Sequence, residues 1–355
     1  MADQDTFAVN SGEKFHLINN FQFESGQTLA LARINYTTLG EPQLDSNGLI
    51  QNAVLLIHGT ASSWQVYTED WWANSMYGPG QPLDLGQTFV IISDNIGAGG
   101  SSKPSDGLRM NFPSYQHGDV VRAQHDLVTN HLGINQLRAV IGSSLGGRLA
   151  WQWAIQYPQA AKSIIPMVAS PFPLAGRRGM QDYLGIEPLL IDPSWDGGNY
   201  LEPPRNFPLA IMTYWIFMSG VNHLWRAAPT RELALRHLPR LAKKIAAKLD
   251  ANDWIYQLRA NDTFNTALSL EKIEAQVLAL AIDGDEMVPV ELGQLEEARC
   301  ILAEKMEIVE ISDSGTGKGH TSLQHVLQTC APKIGEFLKG TSKNTLSPCV
   351  EAAIA

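Results

Sequence analysis

Cysteine is scarce in this chain of 355 residues: Cys300, Cys330 and Cys349 are an odd number, without paired spacing. Neither a disulfide framework nor a zinc site follows from them, and no other cluster of metal-ligating residues stands out. Charge is sparse as well, at 17% of residues, and basic charge is the scarcer sign. Lys and Arg number 26 against 36 Asp and Glu, a net charge of −10. That balance argues against binding to nucleic acid or to an anionic membrane, either of which would need a strong local basic stripe. No apolar run reaches the roughly 20 residues of a membrane span. The opening Met1-Ala2-Asp3-Gln4-Asp5 has neither the basic nor the apolar region of a secretory signal. Repeats and low-complexity tracts are lacking too. Apolar residues are plentiful, at 44%, so the chain can bury a sizeable core. The expectation is a soluble cytoplasmic protein.

The apolar residues are arranged in a telling way. Phe15–Phe23 and Thr28–Tyr36 flank Ser25-Gly26 and read as a β-hairpin. Six short apolar runs follow, each fit to be a strand buried on both faces: Ala53–Ile57, Phe89–Ser93, Leu137–Ile141, Ile164–Val168, Val277–Ile282 and Ile308–Ile311. Helical patterns lie between or after them, at Ser114–Leu132, Gly147–Tyr157, Val290–Glu304 and Leu323–Leu338. This alternation predicts an α/β fold with a mostly parallel central sheet and helices on both faces. From Pro171 to Phe264 the strand pattern stops. Prolines open this stretch, and large apolar side chains such as Trp215, Phe217, Met218, Trp225 and Trp254 follow. It reads as a helical cap inserted into the sheet domain. The predicted organisation is a first core part over 1–170, a cap over 171–264, a second core part over 265–340 and a flexible tail over 341–355. The basic run Arg231–Lys248 fits a solvated helix face.

Chemistry enters at Gly142-Ser143-Ser144-Leu145-Gly146-Gly147, placed between a strand and a helix. The pattern Gly-x-Ser-x-Gly in that setting marks a nucleophile elbow. A sharp, strained turn pushes the central hydroxyl out above the sheet, so its flanking positions must be small. The glycine spacing centres on Ser144, with Ser143 as its neighbour. The Leu145 N–H, at the helix start, is a candidate oxyanion donor, and a second is the Thr60 N–H in the turn after Ala53–Ile57. A serine needs a base and the base an acid, in the chain order serine, acid, histidine that α/β hydrolases use. His320 ends the loop Gly315–His320, which follows the last strand, and fits the base. His325 falls within the next helix pattern. Asp285, beyond the strand Val277–Ile282, fits the acid, with Asp283 as rival. The glycine-rich Gly97–Gly100 has no clear helix behind it, so it reads as a loop near the site and not as a nucleotide cradle.

With these residues in place, the chain resembles the homoserine O-acetyltransferase family of α/β-hydrolase-fold proteins and its esterase-like relatives. The likeness runs through Asp70-Trp71-Trp72, Gly78-Pro79-Gly80 with Asp84, Asp119 with Arg122 and Gln124, and the Gly142–Gly147 turn. It continues in Asp192-Pro193 with Trp195, Gly198 and Tyr200, then Asp283 and Asp285 with Pro289, and Gly319-His320. It implies a triad of Ser144, Asp285 and His320 under the cap. Two departures bear on substrate. The resemblance implies a cap arginine that grips the substrate a few residues before Asp192, yet counting back places Ile186 there. It also implies an aspartate after the histidine that meets the substrate amine, where this chain has Thr321. Arg177 and Arg178 lie nearby and could replace one anchor. The expectation is therefore a serine carboxylic-ester hydrolase acting on a small, uncharged ester with a short acyl group, with Ile186, Thr321, Trp215 and Trp225 in its substrate pocket. The alternative is an O-acyltransferase using acetyl-CoA as co-substrate; a catalytically silent binding protein is a third reading, disfavoured by an intact triad. No cofactor or metal is expected. The expected partner is a small-molecule ester, with neither nucleic acid nor membrane, and a homodimer is compatible with the sequence.

Overall fold

The computed structural model describes residues 12–313 and 315–340. The expected tail over 341–355 lies outside the described residues. Eight strands form one sheet: β1 (Lys14–Gln22), β2 (Thr28–Leu39), β3 (Ala53–Ile57), β4 (Phe89–Ser93), β5 (Ala139–Ser143), β6 (Ser163–Met167), β7 (Gln276–Ile282) and β8 (Met306–Ile311). Their spatial order is β1-β2-β4-β3-β5-β6-β7-β8. The β1–β2 hairpin and the β2–β4 pair are antiparallel. All remaining pairs are parallel. This is the α/β-hydrolase fold, and the hairpin forms its antiparallel edge.

The unbroken apolar runs are explained by what covers the sheet. Ala53, Leu55 and Ile57 of β3 and Val277, Ala279 and Ala281 of β7 point into one core layer, with α2 (His117–Asp126), α3 (Leu145–Gln156) and α9 (Gln294–Leu302) over it. The alternate residues Val54, Leu56, Leu278, Leu280 and Ile282 point into the other, under α1 (Asp70–Met76) and α10 (Leu323–Leu338). Side chains alternate along a strand, so a strand covered on both faces must be apolar at every position. Each fully buried Val, Leu or Ile contributes about 1.5–3 kcal/mol.

Boundaries differ from the sequence expectation for local reasons. The pattern at Ser114–Leu132 yields α2, which continues as a wider π-helical turn over Leu127–His131. The helix expected from Val290 begins only at Gln294, because Gly293 adopts φ +65° and ends a short 3-10 turn first. α1 carried too few residues to leave a periodic pattern.

Between β6 and β7 run α4 (Gly176–Leu190), α5 (Phe207–Met218), α6 (Val221–Ala227), α7 (Arg231–Ala246) and α8 (Ala251–Arg259). Of these, α4, α5, α7 and α8 share a core of their own, including Leu189, Phe207, Ile211, Tyr214, Ala242, Trp254 and Leu258, and Met287 from the loop after β7 joins it, whereas α6 buries none of its residues. The proline-rich start of this segment is helical despite Pro188. A proline in a helix leaves the carbonyl four residues earlier without its usual donor. The Thr213 hydroxyl lies 3.0 Å from that Leu184 carbonyl and 2.8 Å from the Ala210 carbonyl, so its one proton is shared between the two. α7 carries the basic run, and its charged residues are largely exposed. Among the described residues, no helix is long and apolar enough to cross a membrane.

Candidate active site

The turn from β5 into α3 works only because of its glycines. A β-carbon on Gly142 would stand 2.2 Å from the Gly146 carbonyl oxygen, and one on Gly147 would stand 2.5 Å from the Ala169 β-carbon. Ser144, between them, adopts φ +56°, ψ −115°. That conformation is costly for an L-residue, of order 1–3 kcal/mol, and persists only where the surroundings enforce it. Here the Ser144 N–H donates to the Met167 carbonyl at 2.9 Å, and its own carbonyl accepts from the Arg148 N–H at 3.0 Å. The main chain is thereby fixed on both sides, and the hydroxyl is left to point at His320.

The Ser144 Oγ lies 2.8 Å from His320 Nε2. His320 Nδ1 lies 2.7 Å from Asp285 Oδ2. An ionised carboxylate only accepts, so Nδ1 carries the ring proton and Nε2 is free to accept the serine's. The other Asp285 oxygen, Oδ1, accepts the N–H groups of Met287 at 2.8 Å and Val288 at 3.3 Å. Both Asp285 and His320 are buried. The rival Asp283 is turned elsewhere: it accepts the Ser312 hydroxyl at 3.0 Å and the Asp313 N–H, tying the ends of β7 and β8 together. Ser143, the rival hydroxyl, lines the same cavity as Ser144 but makes no bond with His320.

The histidine loop is held by a residue that sequence reasoning missed. The Asp313 carboxylate accepts the Gly319 N–H at 2.8 Å, together with the Ser322 and Thr316 hydroxyls. Burial acts to raise its pKa, and these hydrogen bonds outweigh burial and hold it below the usual carboxylate range. The cap grips the same loop from outside. A β-carbon on Gly220 would be 2.2 Å from the Gly317 carbonyl oxygen, and the His223 N–H donates to that carbonyl at 3.1 Å.

Leu145 is the first residue of α3, so its N–H has no partner within the helix. Thr60 follows Gly59, whose α-carbon packs against the elbow: a β-carbon there would be 3.7 Å from the Ser144 β-carbon. Behind this turn, buried His58 uses Nδ1 toward the Gly59 carbonyl at 2.8 Å and accepts the Asn95 N–H on Nε2 at 3.1 Å. Burial lowers its pKa, so it is a neutral strut beneath the loop. The Gly97–Gly100 loop is also structural in its bonding, since the Gly100 N–H donates to the Asp94 carboxylate at 2.7 Å.

Two cavities meet at Ser144 and His320. The smaller, about 150 Å³, is walled by Thr60, Trp71, Val168, Tyr214, Trp215, Met218, Trp254 and Thr321 among others. The larger, about 370 Å³, is bounded by Arg148, Phe172, Arg177, Arg178, Met287 and Val288. Of the four expected pocket residues, Trp215 and Thr321 line the first cavity. Ile186 and Trp225 do not line either, and for them the expectation is corrected. Ile186 packs against the cap's own core, while Trp225 is 70% exposed on α6. A helical pattern shows that a residue is apolar, but not which side of the cap it faces. Arg177 and Arg178, the alternative anchors, line the second cavity and already have carboxylate partners: Glu286 at 3.1 Å and Asp182, respectively. Among the described residues, no group of three or more His, Cys, Asp or Glu is placed to hold a metal ion.

Comparison with known proteins agrees with this architecture. Residues 52–185 match a family model described as the alpha/beta hydrolase fold. A homoserine O-acetyltransferase of Nostoc punctiforme is 30% identical over 304 residues, spanning 78% of this chain and 83% of that protein. The crystal structure of homoserine O-acetyltransferase from Bacillus anthracis superposes with a TM-score of 0.82 at 25% identity, covering 92% of this chain and 97% of that one. Esterase E22 superposes with a TM-score of 0.80 at 20% identity, over 92% of this chain and all of that one, a likeness of fold. The chain belongs to the homoserine O-acetyltransferase-like family of α/β-hydrolase-fold enzymes.

Proposed function

We propose that this protein is a serine carboxylic-ester hydrolase working through an acyl-enzyme on Ser144. The observation that carries the reading is the unbroken line from Ser144 Oγ through His320 to Asp285, set where two cavities join. His320 Nε2 takes the hydroxyl proton as Oγ attacks an ester carbonyl. The oxyanion that forms is met by the N–H groups of Leu145 and Thr60, and losing one such donor costs about 3–4 kcal/mol of barrier. His320 then gives its proton to the departing alcohol. Water, deprotonated by the same nitrogen, frees the acid and restores the serine. Asp285 holds the His320 tautomer and stabilises the imidazolium throughout.

A short acyl group suits the 150 Å³ cavity, which is walled largely by aromatic and apolar side chains. Hydrolysis is favoured over transfer to homoserine because neither expected zwitterion anchor is in place: Thr321 stands beside His320, and Ile186 lies in the cap core. A zwitterion needs both charges answered in a partly dry site, and an unmatched one costs several kcal/mol. The reaction as proposed needs only the ester and water, with no cofactor. Acetyl-CoA enters solely under the second reading, acyl transfer to an alcohol, which the 30% identity to a homoserine O-acetyltransferase favours.

One experiment separates the two. Thiol release from acetyl-CoA is followed with and without homoserine, beside hydrolysis of 4-nitrophenyl acetate. Hydrolysis of the aryl ester, lost in Ser144→Ala, with thiol release that homoserine leaves unchanged, supports the hydrolase. Rapid thiol release that depends on homoserine overturns it in favour of transfer.

A further inference from the structure

The nucleophile's helix carries a second charged group that the hydrolytic steps do not use. Arg148 lies four residues after Ser144, just over one turn along α3, about 6 Å up the axis. Residues four apart share a helix face, and both line the larger cavity together with His320. The Arg148 side chain is only 5% exposed. One of its nitrogens, Nη2, donates to Asn261 Oδ1 at 3.1 Å, while Nε is buried without any hydrogen-bond partner.

The charges around it are otherwise spoken for. Asp182 pairs with Arg178, and its second oxygen accepts from Asn261 Nδ2 at 3.0 Å. Glu286 pairs with Arg177, and Asp285 is bonded to His320. Glu291 stands exposed at the rim. No ion pair among the described residues includes Arg148. His117, buried near it, is driven toward neutrality by burial and by the Arg148 charge itself, so it does not offset that charge. Burial, then the neighbouring Arg178, lower the Arg148 pKa to about 10, which leaves it cationic at neutral pH. A buried cation with an idle donor is unfavourable on its own, and a planar guanidinium is the group best shaped to receive a carboxylate.

We propose that Arg148 anchors a carboxylate of the substrate, so that the ester processed at Ser144 carries a negative charge a few bonds from its scissile carbonyl. This rests on the Ser144 acyl-enzyme reading above and replaces the expectation of an uncharged substrate. The carboxylate can belong to the acyl group or to the alcohol, and the two are separated by the choice of esters.

The test uses two matched pairs with the full chain. On the acyl side, 4-nitrophenyl hydrogen glutarate is compared with 4-nitrophenyl pentanoate. On the alcohol side, 4-acetoxybutanoate is compared with its methyl ester. The wild type should favour the charged member of one pair in kcat/KM by roughly tenfold or more, the worth of a charge-assisted hydrogen bond. The favoured pair identifies the side. In Arg148→Met that ratio should collapse toward one, and in Arg148→Lys it should survive in part. If Arg148→Met does not fold, the wild-type and lysine ratios still decide. A wild type indifferent to charge in both pairs overturns the proposal, as does a preference that persists in Arg148→Met. Ser144→Ala is assayed alongside: turnover retained there refutes the acyl-enzyme reading, whereas indifference to charge with turnover lost refutes the carboxylate anchor alone.

Discussion

Gly146 packs on Ile57 so tightly that a β-carbon would stand 1.9 Å from the Ile57 carbonyl oxygen and 3.0 Å from that of His58. Both are main-chain atoms at the end of β3, so neither can swing aside. α3 therefore approaches the sheet only with glycine at this position, and that approach aims the Ser144 hydroxyl. Gly146→Ala should destabilise the protein by about 3 kcal/mol, the upper part of the usual cost of overpacking, and should lower turnover by displacing the elbow. Urea unfolding with an ester assay checks both. A variant with the wild-type midpoint and rate would mean that the helix can shift freely.

The two aspartates past β7 make a matched comparison. Asp285→Asn keeps the size of the side chain but no longer enforces the His320 tautomer, so kcat for 4-nitrophenyl acetate should fall by about 10³–10⁴. Asp283→Asn weakens only the tie between strand ends, and its kcat should change by less than roughly tenfold, the loss appearing instead in thermal stability. Equal losses from the two substitutions would dissolve the distinction drawn from their hydrogen bonds.

Much of this was legible in the residues because the signals are local. A strand buried on both faces has no choice but an apolar run, and Ala53–Ile57 and Phe89–Ser93 were readable to the residue. The elbow announces itself through Gly142 and Gly146, since the close approach of main chain admits nothing larger. What stayed hidden depends on the third dimension. Ile186 and Trp225 are apolar residues on helices of one cap, and only packing reveals that neither reaches the cavities. Arg148 was within reach, because i and i+4 on a helix share a face, but its lack of a counter-ion depends on Asp182 turning to Arg178. Asp313 gave no motif: its partners Thr316, Gly319 and Ser322 are close in sequence, yet their convergence on one carboxylate is a property of the folded loop.

That convergence makes Asp313 a positioning residue. Asp313→Asn retains a similar shape and one acceptor oxygen but loses the charge that gathers the Thr316 and Ser322 hydroxyls and the Lys318 and Gly319 N–H groups. The His320 loop should loosen, with kcat reduced by about 10–100-fold, KM little altered, and the pH–rate profile displaced because His320 sits less firmly on Asp285. Asp313→Glu, which restores the charge, should recover part of the rate. An unaltered kcat in Asp313→Asn would show that Gly319 and its neighbours hold the loop without it.

The seam between cap and core contains a titrating bond. Asp253, on α8, accepts the Ser105 N–H at 2.8 Å and the Ser105 hydroxyl at 2.6 Å. Burial is the largest influence on it and raises its pKa to about 6, against the lowering effect of those two bonds. A carboxyl whose pKa is raised on folding binds its proton more tightly in the native state than in the unfolded chain. Its contribution to stability is thus full below about pH 4 and is lost as pH rises through about 6, amounting to roughly 2–3 kcal/mol. Other carboxylates, held low as Asp313 is, work in the opposite direction, so the total curve need not fall. The difference between wild type and Asp253→Asn isolates the one group, because asparagine does not titrate. The variant should lose stability relative to wild type at pH 4 and regain it by pH 7, with the change centred between those values. Denaturant unfolding at half-unit steps of pH measures this, and a constant difference across the range would mean that Asp253 is ionised equally in both states.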